Sequence, residues 1–132
     1  MLSRSAELTE IELKTASGER QFVCQKETDR VCSEARKKLS ESRASEIYVL
    51  DSEGPALSSQ GWAKLLARPG HKIFCIGGSY GFQKPDHELF SLAQGQLSLG
   101  PQTMSRDLSR IVLLEQIFRA QCILSGHPYH HT

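Results

Sequence analysis

Lys72-Ile73-Phe74-Cys75-Ile76-Gly77-Gly78-Ser79-Tyr80-Gly81 is the stretch whose reading decides the fold. Its apolar run, Ile73 to Ile76, is rich in β-formers and stops at paired glycines, the pattern of a buried parallel strand. That makes 72–76 the expected central strand. Gly77 and Gly78 let the main chain turn sharply and let a ligand come close to it. In open α/β sheets ligands bind at the carboxyl ends of the strands, so this turn is the first candidate site.

Upstream, Glu46-Ile47-Tyr48-Val49-Leu50-Asp51 is a second strand, closed by Asp51 and the turn at Glu53-Gly54-Pro55. Ser58-Ser59 cap a helix to about Arg68 that turns Trp62, Leu65 and Leu66 inward, and Pro69-Gly70 ends it. Residues 21–42 carry a weaker helical pattern, with Phe22, Val23, Val31, Cys32, Ala35 and Leu39 on one side and a favourable Glu34–Lys38 pair. The basic run Arg36, Lys37, Lys38 and Arg43 reads as a solvated helix face. Residues 7–14 partly alternate through Leu8, Ile11 and Leu13 and predict an edge strand, followed by a turn within 15–19.

Downstream, Pro85-Asp86 starts a helix with Leu89, Phe90 and Leu92 inside, and Gln96–Leu99 is a short last strand. After the loop Gly100-Pro101-Gln102-Thr103 comes the strongest helix, Ser105 to Leu124. Leu108, Ile111, Val112, Leu113, Leu114, Ile117 and Phe118 make it apolar over more than one stripe, so it is expected to be buried on two sides, the second against another subunit. Gly126 and Pro128 end it. Strands alternating with helices predict one α/β domain over residues 1–132, a parallel sheet flanked by helices.

With 132 residues and a net charge of +1, the chain exerts no global pull on nucleic acid, though a local basic patch is compatible with it. Cys24, Cys32, Cys75 and Cys122 show no CxxC pairing and read as reduced thiols of an intracellular protein. No apolar stretch reaches transmembrane length and the N-terminus lacks a signal-peptide core, so a soluble, cytoplasmic chain is expected. Gly77-Gly78-Ser79-Tyr80-Gly81 is neither a P-loop nor the dinucleotide fingerprint. His127, His130 and His131 have no acidic or thiol partner nearby in sequence, and no metal is expected.

Six motifs carry a resemblance: Leu50-Asp51-x-x-Gly54, Leu57-Ser58-Ser59, Ile76-Gly77-Gly78-Ser79-x-Gly81, Leu97-Ser98-Leu99 with Thr103, Arg110-x-x-Leu113-x-Glu115-Gln116-x-x-Arg119-Ala120, and Pro128-Tyr129-His130. In that order, over residues 46–132, the chain resembles the RlmH (YbeA-like) family of the SPOUT superfamily. The resemblance implies methylation of N3 of a pseudouridine in 23S ribosomal RNA, with S-adenosyl-L-methionine as cofactor. It also implies a C-terminal deep trefoil knot, with knot and cofactor site within about 72–126, and a homodimer whose sites are completed across the interface. The family's opening strand and most of a helix are missing before Leu8, so Met1 reads as an internal start. Arg106 and Gln102 stand where the family has His and Met, and His131 where it has Arg or Lys.

On that resemblance the cofactor pocket is formed by Leu50, Ile76, Gly77, Gly78, Leu97, Leu99, Gly100, Pro101, Gln102, Thr103 and Met104. His130 is the base that takes the N3 proton, since a neutral imidazole suits pH 7. Tyr129 stacks on the base or orients the proton acceptor, and Arg106 and His131 contact the RNA. Arg110 and Arg119 are assigned to structure. The rival expectations are a knotted RNA- or ribosome-binding protein without turnover and a related enzyme acting on tRNA.

Overall fold

A computed structural model of the chain describes residues 8–42, 44–78, 81–83 and 87–126. The elements are α1 (Arg20–Glu41), β1 (Ser45–Leu50), α2 (Ser59–Ala67), β2 (His71–Cys75), α3 (Glu88–Leu92), β3 (Gly95–Leu97) and α4 (Arg106–Ser125). The three strands form a parallel sheet in the order β2-β1-β3. Tyr48 pairs with Phe74 on one side and with Gly95 on the other. The expected parallel α/β sheet flanked by helices is present, but its central strand is β1 and not 72–76. The chain runs from β1 through α2 to β2, then returns past β1 through α3 to β3. No local pattern records that return, and Ile73 and Phe74 are only half-buried at the sheet's edge.

Alternation along β1 explains why helices cover both faces. Tyr48 and Leu50 point into one cluster with Trp62, Ala63 and Leu65 of α2 and Leu113 and Ala120 of α4. Ile47 and Val49, both 0% exposed, point into the other with Cys32 and Ala35 of α1, Cys75, Phe82 and Leu89. A period of two with apolar residues on both sides leaves no face for water. Phe74 links strand to helix by stacking on Tyr48 at 5.8 Å and tilting against Trp62 at 5.6 Å.

Capping fixes the helix ends largely as the sequence suggests. Ser58 Oγ accepts the Gly61 N–H at 3.0 Å and Ser105 Oγ the Leu108 N–H at 3.2 Å. Gly126, at φ +75°, closes α4 in the left-handed conformation. Helix α3 is shorter than expected. It begins at Glu88, where His87 Nδ1 accepts the Leu89 N–H at 3.0 Å, while Pro85 and Asp86 lie outside the described residues. Lys38 pairs with Glu41, not Glu34, and Phe22 is exposed, not inward-facing.

At the α2–β2 corner Lys72 Nζ donates to the carbonyls of Arg68, Pro69 and Gly70 at 2.9, 3.2 and 3.2 Å. Gly70, at φ +104°, brings a Cβ position within 2.2 Å of the Ala44 carbonyl oxygen, so glycine is required there.

The expected strand over 7–14 is absent from the described residues 8–14. Leu8 and Ile11 face outward, and side chains, not a neighbouring strand, hold the segment. Arg30 donates to the Lys14 carbonyl at 2.9 Å, and the Arg110 guanidinium donates to both oxygens of Glu10 at 2.5 and 3.2 Å. The Arg110 hydrogen bond lowers the Glu10 carboxyl below its ordinary 4.5. A depressed carboxylate contributes while it is ionised, so the tie is complete above pH 4.5 and is lost as pH falls through the lower bound-state value. Backbone NMR relaxation of residues 8–12 is expected to show ordering at pH 7 that is progressively lost as the pH falls below 4.5, while β1 stays ordered.

Candidate functional site

Past Cys75 the chain leaves β2 and reverses. The Gly81 N–H donates to the Gly78 carbonyl at 3.0 Å, and Gly81 sits at φ +71°. The chain's own packing sets the need for both preceding glycines. A Cβ at Gly77 would stand 3.0 Å from the Gly81 carbonyl carbon and 3.3 Å from the Phe82 ring, and one at Gly78 would stand 2.0 Å from Glu27 Oε1. The expected opening to a ligand is therefore filled at Gly78 by a side chain of α1.

Helix α1 grips this turn at three points. Cys24 Sγ lies 3.7 Å from the Gly81 carbonyl oxygen. Thr28 Oγ1 accepts the Gln83 N–H at 2.9 Å and donates to the Cys24 carbonyl at 2.7 Å. Glu27 Oε2 accepts the Ala16 N–H at 3.0 Å, while its Oε1 is buried without a hydrogen-bond partner. Spacing of three and four along a helix places Cys24, Glu27 and Thr28 on one face. The signal for them was present: Glu27 and Thr28 interrupt the inward stripe that runs from Val23 to Cys32, and polar groups inside such a stripe require partners.

Beside the turn lies a cleft of about 480 Å³, bounded by the 15–18 loop, Val23, Glu27, Gly78, and Ser105, Arg106 and Asp107 at the start of α4. That volume suits a small ligand. Of the residues expected at the cofactor only Gly78 lines it, and of those expected at the RNA, Arg106. Four of the others gather in the α2–α4 cluster instead. Leu50 and Leu97 are buried in the α2–α4 cluster, with Ile76 and Leu99 packed against them, so four expected pocket leucines and isoleucines meet at the strands' carboxyl ends. Ser98 Oγ accepts the Gly100 N–H at 2.9 Å and shapes the loop, where Gly100 takes φ +147°. Pro101, Gln102 and Thr103 are exposed and Met104 half-buried. Tyr129, His130 and His131, with Ser79 and Tyr80, lie outside the described residues.

Arg119 bonds Glu115 one turn away at 2.5 Å, and Arg110 bonds Glu10. All four cysteines are free thiols. Burial, with Cys32 beside it, pushes the Cys75 thiol up to about 12, which removes it as a nucleophile at neutral pH. Among the described residues no group of three or more His, Cys, Asp or Glu is arranged to hold a metal, and no helix is long and apolar enough to cross a membrane.

A family model described as a predicted SPOUT methyltransferase matches residues 1–130. The chain belongs to the SPOUT methyltransferase family. Among similar proteins, one of Acetivibrio thermocellus is 36% identical over 141 residues, covering 98% of this chain and 83% of that protein. One from Solidesulfovibrio magneticus is 42% identical over 90 residues, covering 64% and 56%. One from Nitratiruptor is 43% identical over 82 residues, covering 62% and 52%. Each is named ribosomal RNA large subunit methyltransferase H. The chain spans little more than half the length of the last two.

Gly78→Ala is expected to destabilise the fold by about 1–3 kcal/mol, the usual range for overpacking. Combining it with Glu27→Ala should relieve the clash, so the pair is non-additive by about 1 kcal/mol or more. Denaturant unfolding of the four proteins checks both, and additive losses would mean that Glu27 and Gly78 do not meet.

Proposed function

We propose that the chain is an S-adenosyl-L-methionine-dependent methyltransferase acting at N3 of a pseudouridine in 23S ribosomal RNA. Membership of the SPOUT family, with relatives named for ribosomal RNA large-subunit methylation, carries the proposal. The surroundings of the turn support it. An apolar cluster at the carboxyl ends of parallel strands, flanked by two glycine-bearing loops, fits an adenosine, whose flat ring needs apolar walls and main-chain partners.

Leu50, Ile76, Leu97, Leu99 and Met104 would enclose that group, with the main chain of Gly77, Gly78 and Gly100–Thr103 supplying its polar contacts. Bound there, the cofactor supplies an activated methyl group on a sulfonium. The protein's task is then to hold the acceptor in line with it and to take one proton. His130 takes the N3 proton, Tyr129 stacks on the flipped base or orients the proton acceptor, and Arg106 and His131 contact the RNA. Arg106 lines the cleft from the first turn of α4.

The proposal includes a single domain over 1–132, the family's trefoil knot and a homodimer in the cytoplasm. The exposed face of α4 supports the dimer. Leu108, Ile111 and Phe118 are about half exposed, at 48%, 57% and 51%, while the opposite face packs on α2. Apolar groups so arranged on one helix mark an association surface.

The direct test is methyl incorporation into undermethylated large subunits, with the modified position mapped. Incorporation at a pseudouridine supports the proposal. Cofactor binding without incorporation would instead identify a binding protein. His130→Ala is expected to lower turnover about 10²–10⁴-fold and to leave cofactor affinity unchanged, since its role belongs to the transition state. A deletion of 129–132 that retains full rate would refute the tail's role.

For the dimer, wild type should sediment as two chains at micromolar concentration, and Phe118→Glu as one. An isologous contact takes the added charge twice. A monomeric wild type would remove the dimer from the proposal.

A further inference from the structure

One oxygen in the cleft wall has unmet bonding capacity. Glu27 Oε2 is satisfied by the Ala16 N–H at 3.0 Å. Oε1 is sealed from water with no donor and lies beside Gly78, where a Cβ would stand 2.0 Å from it. A buried carboxylate oxygen without a hydrogen bond is costly to hold. The other charged groups on the cleft are Arg106 and Asp107, and neither pairs with Glu27. Such an oxygen is complemented by a hydrogen-bond donor or by a cation, including one that carries no N–H or O–H. A sulfonium is a cation of that kind, polarising its attached C–H groups toward a nearby anion.

We infer that Glu27 is the counter-charge to the sulfonium of S-adenosylmethionine, and that it makes the site prefer the methyl donor over the demethylated product. The inference rests on the cofactor assignment proposed above. When the sulfur–methyl bond breaks, its electron pair remains on sulfur and the cation becomes a neutral thioether. The carboxylate then faces no opposite charge, and its attraction is withdrawn from the product alone. Enclosure by α1, the 15–18 loop and Gly78 keeps solvent from screening that attraction.

The test is calorimetric binding of S-adenosylmethionine, S-adenosylhomocysteine and 5′-methylthioadenosine to the full chain and to Glu27→Gln. The variant keeps an oxygen for the Ala16 N–H and loses only the charge. Glu27→Leu is a second uncharged variant, and circular dichroism reports whether each folds. Wild type is expected to favour S-adenosylmethionine over S-adenosylhomocysteine. The variants should weaken S-adenosylmethionine by about tenfold or more, the effect of one partly screened charge pair, and leave the other two ligands nearly unchanged. Equal loss of S-adenosylmethionine and S-adenosylhomocysteine, with 5′-methylthioadenosine spared, would place Glu27 on the amino-acid end of the ligand and overturn the inference. Equal loss of all three would make Glu27 a prop for the turn, and a wild type without preference would also overturn it. Wild type that binds none of the three overturns the cofactor assignment as well. Charge-selective binding without methyl incorporation leaves the inference standing and overturns the methylation proposal.

Discussion

Burial of β1 on both faces is the constraint on which the rest depends. Ile47 and Val49 face one helical layer while Tyr48 and Leu50 face the other. A strand of this kind cannot sit at a solvated edge, so the chain must lay strands on both its sides and helices above and below. With all three strands parallel, their carboxyl ends at Leu50, Cys75 and Leu97 fall at one end of the sheet. The site is therefore a consequence of how one six-residue strand is buried. Between β2 and β3 the chain changes sides of β1, and such a change of direction leaves a crevice that helices do not fill.

The glycine turn owes its shape to a helix distant in sequence. The hydrogen bonds that reach it from Thr28 and Cys24 span 55 and 57 residues, and Glu27 packs against Gly78. Thr28 is tied at both ends, donating within α1 and accepting from Gln83. A rotation of α1 about its axis is thus felt at the turn directly. The same helix holds the 8–18 segment through Glu27 and Arg30, while Arg110 of α4 holds it from the other layer, so one irregular segment links both sides of the sheet.

Much of this was legible from residue order. The strands near 46–51 and 72–76, the Ser58 cap and the long apolar α4 are local facts, and local pattern reports them. The order of the strands is not local: Ile73-Phe74-Cys75-Ile76 is as apolar as β1, and only the returning β3 decides which lies at the centre. Leu8, Ile11 and Leu13 suggested a strand because alternation records side-chain character and not whether a neighbouring edge exists to pair with. Leu50, Ile76, Leu97 and Leu99 were placed together by a resemblance, and the structure brings them into one cluster. Glu27 was passed over although it interrupts the inward stripe from Val23 to Cys32, because the glycine it faces lies 51 positions later and no local pattern joins the two.

The corner at Lys72 has a coordination chemist's character. Its ammonium directs three protons at three carbonyl oxygens, which is its full donor complement, with the Glu46 carboxylate 3.7 Å away as an outer-sphere anion. The side chain is 6% exposed, so the group acts as a small, tethered, hard cation in a closed oxygen shell. Arginine carries the same charge but spreads it over a flat fork, whose donors diverge and cannot converge on three oxygens of one tight bend. Charge conservation at this position is therefore no conservation at all: the corner selects for a point cation of fixed radius, and lysine is the only side chain that supplies one.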